Sequence, residues 1–175
     1  MKLSFNSLCF VLAVFFCQAS GIAAPVEAKV KSVSGQVEWL EPGSQVFKPL
    51  AKGAMLPVGS SIKTGKDGEA IIVAVPGAAI RVAPSTLLTL GENDFAKDGD
   101  KVTSRQATID LHAGTVSALI QHNERDVTDF KIKTPQGVAA ARGTFYGVTV
   151  DENGQVCVAV KEGSVGLKKA DDQSK

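Results

Sequence analysis

Beyond residue 25 the apolar residues recur at every second position in short runs, a period that suits strands wetted on one face and not an amphipathic helix. Phe130, Ile132 and Thr134 alternate with Lys131 and Lys133, and Ala107, Ile109 and Leu111 alternate with Thr108, Asp110 and His112. Each set predicts a strand with one buried and one solvated face. Ile80 with Val82, Leu88 with Leu90, and Val116 with Ala118 and Ile120 add shorter strands. Glu69 to Val75 is apolar on both faces, because Ala70, Ile72 and Ala74 interleave with Ile71, Val73 and Val75. That run predicts a central strand covered on both sides.

Turn signals separate these runs at short intervals: Pro42 and Gly43, Asp67 and Gly68, Pro76 and Gly77, Asp98 and Gly99, Asn153 and Gly154. Regular turns between short strands predict an all-β fold, a single compact domain of many short, mostly antiparallel strands with little helix, built as a sandwich, barrel or solenoid. Asn153 and Gly154 are the strongest signal, since both tolerate the positive φ of a type I′ hairpin turn. They predict that Tyr146 to Asp151 pairs antiparallel with Gln155 to Lys161. Gly35, Gly114 and Gly163 each launch a strand, but at irregular spacing, so no fixed-period repeat is assigned. Gly91 to Lys101 reads as an exposed loop, and Val138 to Ala141 is the one helix candidate, too short to matter much.

The amino terminus follows different rules. Lys2 precedes an unbroken apolar run from Leu8 to Cys17 and then small residues from Ala19 to Ala24, the pattern of a secretory signal peptide. The run is shorter than the 18 or so apolar residues that a membrane-spanning helix needs, so cleavage is expected and anchoring is not. Gly21 and Ala23 favour a cut after Ala23 over one after Ala24, and bulky Val14, Phe15 and Phe16 before Cys17 argue against a lipoprotein. The expected organisation is a signal peptide at 1–23, one β-domain at 26–167 and a polar tail at 168–175, in a periplasmic or secreted protein with no membrane span after processing. Within the 175 residues, hydrophobic content of 44% and charged content of 21% suit an ordinary folded domain. Loss of Lys2 leaves 18 basic against 18 acidic residues, a balance that offers nothing to nucleic acid or an anionic membrane. Cys9 and Cys17 leave with the same segment, so Cys157 is the only remaining thiol, no intramolecular disulfide forms, and a monomer is expected.

Two stretches carry a family pattern. The first runs Leu50, Gly53, Leu56, Gly59, Ile62, Lys63, Thr64, Gly65, then Gly68, Ala70 and Ile71, with Ile80, Val82, Pro84 and Leu90 beyond. The second runs Leu111, Gly114 and Val116, then Phe130, Ile132, Thr134, Pro135, Gly137, Ala139 and Arg142, Gly143, Thr144, Phe145, with Val148 and Val150 after them. Together, from about Val30 to Leu167, they resemble the FecR domain, the periplasmic part of the ferric citrate regulator and its relatives. The resemblance implies an extracytoplasmic all-β domain of the kind that relays the state of an outer-membrane receptor to a sigma factor. No cytoplasmic sigma-binding segment or long membrane helix precedes the domain, so a stand-alone exported domain is expected.

The inventory of reactive groups is thin. His112 falls on a polar strand face with Asp110, and His122 lies beside Asn123 in an expected turn, too few ligands for a metal. Cys157, between Val156 and Val158 and set to face Val150 across the hairpin, reads as a buried, inert thiol. The glycines match neither a phosphate loop nor a dinucleotide fingerprint and read as turn residues. No cofactor is expected. Thr134, Pro135, Arg142, Gly143, Thr144 and Tyr146 form the one locus with two readings. Arg142 either bonds loop carbonyls around the Gly143 turn, the favoured reading, or joins Tyr146 in presenting a charged fork and a ring to a partner. The expectation is a non-catalytic domain that binds a protein or a cell-envelope polymer. Its alternatives are a split component of a transmembrane sigma-factor system, or a hydrolase with an unrecognised site.

Overall fold

The computed structural model describes residues 24–121, 126–141 and 145–169. The expected signal segment 1–23 and residues 170–175 of the expected 168–175 tail fall outside them. The chain enters through β1 (Ala24–Pro25), β2 (Ala28–Ser34), β3 (Val37–Leu40), β4 (Lys48–Pro49) and β5 (Met55–Leu56). It continues through β6 (Ser61–Thr64), β7 (Glu69–Val75), β8 (Ala78–Val82), β9 (Leu87–Asp98) and the 20-residue β10 (Lys101–Ile120). The last five are β11 (Thr128–Thr134), β12 (Gly137–Ala141), β13 (Phe145–Val150), β14 (Val156–Glu162) and β15 (Val165–Lys169).

β10 is the spine. Its first half pairs with β9 on one side and, in parallel, with β11 on the other; its second half pairs with β8 and β13. All the other strand pairings are antiparallel. One sheet therefore runs β4-β3-β6-β9-β10-β11-β12-β15 and the other β5-β2-β7-β8-β10-β13-β14, so that the whole is one sheet curled over a shared core. The two halves of β10 meet at Gly114, whose φ of +88° permits a corner that side-chain-bearing residues resist. Beside the corner, Thr64 Oγ1 donates to the Ala83 carbonyl at 2.7 Å and accepts from the Thr86 amide at 2.8 Å, while Thr86 Oγ1 accepts from the Thr115 amide at 3.0 Å. These buried hydroxyls satisfy the backbone where β8 crosses to β9.

Alternation decides what reaches the core. Ile62, Leu88, Leu90, Ile109, Leu111, Phe130 and Ile132 come from the first sheet, and Val30, Ile72, Ile80, Val116, Tyr146 and Val148 from the second. Each large aliphatic or aromatic side chain so buried contributes about 1.5–3 kcal/mol.

Four expectations change. β7 is central in its sheet but covered on one face only, leaving Ile71 38% exposed, because the fold has two layers and none of the described residues packs outside the second. Gly91 to Lys101 is not a loop: β9 runs to Asp98 against β10 and β1, and only Gly99 and Asp100 turn. Val138 to Ala141 is strand, held between β11 and β15, since so short an alanine run cannot pay for helix nucleation. The β13–β14 hairpin forms, but one residue out of the expected register. Asp151 Oδ1 accepts from the amides of Asn153 at 2.8 Å and Gln155 at 2.7 Å, and Asp151 N donates to Gln155 O. The loop is therefore three residues long with Gly154 at φ +73°, and Cys157 lies opposite Thr149 on the exposed face.

Candidate functional site

The two ends of the curled sheet are finished differently. On the amino-terminal side, the chain from β4 to β5 crosses from one sheet edge to the other and seals the core. Leu50 N donates to Val37 O at 2.8 Å, Gly53 N to Val30 O at 2.9 Å and Val30 N to Ala54 O at 2.9 Å, while Leu50 and Leu56 are buried beneath the crossing. On the carboxy-terminal side, β14 pairs only with β13 and β15 only with β12 among the described residues. Gly163, at φ +86°, and Ser164 link the two edge strands at one end. Elsewhere the edges part and a mouth opens between the sheets.

Register shows what faces the mouth. Val156, Val158 and Val160 lie opposite buried Val150, Val148 and Tyr146, and Val165 and Leu167 lie opposite buried Ala141 and Ala139. All five thus point inward, yet Val160 is 46% and Leu167 67% exposed. A groove of about 260 Å³ lies there, lined by Thr134, Gly137, Ala139, Val158, Leu167 and Lys169 among others. A second depression, on the outer side of β15, is lined by Lys131, Lys133, Val138, Ala140, Gly166, Leu167 and Lys168.

The sequence-predicted locus divides across this region. Thr134 Oγ1 donates to the Gly137 carbonyl at 2.9 Å, closing the two-residue turn of exposed Pro135 and Gln136 at the rim of the groove. Proline in the first central position of such a turn is pre-set in φ. Tyr146 is buried at 1% exposure on the inner face of β13, so it presents no ring to a partner: its place in the alternation with Val148 and Val150 carries it inside. Its hydroxyl has no hydrogen-bond partner among the described residues, and burial pushes its pKa well above the usual tyrosine range. Arg142, Gly143 and Thr144 lie outside the described residues, as does His122. His112 is exposed, with Nε2 3.0 Å from Thr89 Oγ1. Among the described residues no three His, Cys, Asp or Glu side chains are placed to hold a metal, and no helix is long and apolar enough to cross a membrane.

One buried charged residue among the described residues was missed. Arg105 is 2% exposed, donates to Thr128 Oγ1 at 3.1 Å and reaches the Gly77 turn, where a Cβ would crowd its guanidinium. The signal was present, since Arg105 holds the same phase as Ala107, Ile109 and Leu111.

A family model described as FecR protein matches residues 60–166. The chain belongs to the FecR family. The match begins one residue before β6 and ends within β15, so the FecR region takes in the spine, its corner, β14 and the first two residues of β15, and leaves β1 to β5 outside. FecR is a regulatory family tied to sigma-factor signalling, not a catalytic one. No curated protein and no solved structure matches the chain.

Proposed function

We propose that this chain is an extracytoplasmic, non-catalytic FecR-type binding and sensing domain that passes on the state of a protein partner or cell-envelope polymer within a sigma-factor system. The observation that carries the reading is the coincidence of the family match with the open carboxy-terminal mouth. The matched region includes Val160 on β14, a core-facing side chain that the fold leaves 46% exposed, and ends next to Leu167 on β15, which extends the same uncovered apolar surface. Surface of that kind, rimmed by polar residues, marks an interaction site. The run of apolar residues before small ones at 1–23 supports export.

Deletion of the coding sequence followed by transcript profiling tests this. A sigma-factor-dependent gene set should change, and the full chain should restore it while a version lacking 1–23 should not. An unchanged transcript profile would overturn the signalling role, and turnover of an envelope polymer lost on His112→Ala would favour the hydrolase.

A further inference from the structure

We infer that the mouth between β14 and β15 takes an extended acidic segment of a different protein, added as a strand to the free edge of β15. The inference rests on the binding-domain reading above and names the chemistry of the partner. The free edge supplies the main-chain groups: β15 uses one side to pair with β12, and its other side is unpaired among the described residues. Strand addition to an exposed edge draws its affinity from such groups and its specificity from alternate side chains. Here the alternation is explicit. A strand laid beside β15 would point every second residue into the groove beside Leu167, and the residues between them toward Lys168 on the outer side.

Charge decides which strand. Among the described residues, neither the groove nor the outer depression is lined by a carboxylate, while Lys133, Lys168 and Lys169 line them without an ion-pair partner. Lys131 is held differently, 2.6 Å from Asp129 on its own strand. Lysine on an edge strand repels a second copy that would bring the same lysines, the usual guard against edge-to-edge aggregation. The same charges attract a strand that alternates apolar with acidic residues. The amino-terminal side shows the steric precedent within this chain, since there the β4–β5 segment covers the sheet edges with Leu50 and Leu56 as plugs.

Two synthetic peptides of about six residues, near the usual strand length, serve as probes with the full chain: one alternating valine and glutamate, one alternating valine and lysine. The glutamate peptide should bind in a salt-dependent way and slow amide exchange over Val165–Lys169. Charge reversal by Lys168→Glu with Lys169→Glu should weaken it roughly tenfold, as for a few exposed ion pairs, and transfer preference to the lysine peptide. Leu167→Asp, at an exposed position that the fold does not need, should also weaken it. Equal binding of both peptides, binding without protection of the β15 amides, or self-association through this edge would each overturn the inference. A transcript change on deletion combined with any of those outcomes would remove the strand addition and leave the signalling reading standing.

Discussion

Gly137 passes so close to Lys168 that a Cβ on the glycine would overlap the lysine's carbonyl oxygen. The two residues sit on neighbouring strands, β12 and β15, where Gly137 pairs with Lys169 and Val138 with Lys168. The missing side chain is what lets the last strand seat against the sheet. Gly137→Ala should push β15 outward at a cost of about 1–3 kcal/mol, the usual range for overpacking. Exchange of the Val165–Lys169 amides should quicken while the β7 and β8 amides stay protected. Unchanged exchange in β15 would show that the contact relaxes without moving the strand.

Gly114 and Gly154 both have positive φ, +88° and +73°, but only Gly114 is crowded, by Thr86 and the Ser85 carbonyl. Gly154 has open space around it. Alanine at either position carries the left-handed backbone penalty, about 1–2 kcal/mol. Gly114→Ala adds a clash at the corner of β10, so its melting temperature should fall clearly below that of Gly154→Ala. Equal losses in thermal melts would mean that the corner yields as easily as a hairpin tip.

Cys157 lies on the outer face of β14, opposite Thr149, and is exposed. A thiol reagent should label it in the native protein at nearly the rate seen in denaturant. Cys157→Ser should change stability by no more than about 0.5 kcal/mol, as surface substitutions do. Slow native labelling would restore the register in which Cys157 faces Val150.

That register marks the limit of what the sequence discloses. Alternation located β11, the β10 core positions and the β13–β14 pairing, because a period of two follows from backbone geometry alone. It did not fix the loop between β13 and β14, where the Asp151 carboxylate binds two loop amides and adds a residue to the turn expected from Asn153 and Gly154. One residue of slip turned Cys157 outward. The mouth was illegible for a related reason. Val156, Val158 and Val160 carry the same pattern as Tyr146, Val148 and Val150, and only the tertiary arrangement shows that the second set is fully buried while the first is covered in part, with Val160 46% exposed. Arg105 shares the phase of Ala107, Ile109 and Leu111, but a hydropathy pattern cannot show that a charged side chain is buried.

Tyr146 combines full burial with a hydroxyl that has no hydrogen-bond partner among the described residues. An unsatisfied buried hydroxyl costs about 1–3 kcal/mol, so Tyr146→Phe should raise stability at neutral pH. In a domain of 150–250 residues each kcal/mol moves the melting temperature by about 2–4 °C. Alkali should separate the two proteins further. Burial raises the folded-state pKa of Tyr146 above the unfolded value of about 10. The unfolded chain therefore loses this proton first as pH rises, and the stability held by the neutral phenol, fully present below about pH 10, drains away above it. The phenylalanine variant lacks this group and should show a correspondingly shallower alkaline loss. Tyr146 is the only tyrosine in the chain, so ultraviolet absorbance of its phenolate reports directly on it. In the native protein that absorbance should appear together with unfolding and not before. A phenolate signal that rises near pH 10 while the fold persists, or a Tyr146→Phe melting temperature below that of the native protein, would show that the hydroxyl has a partner or a path to water.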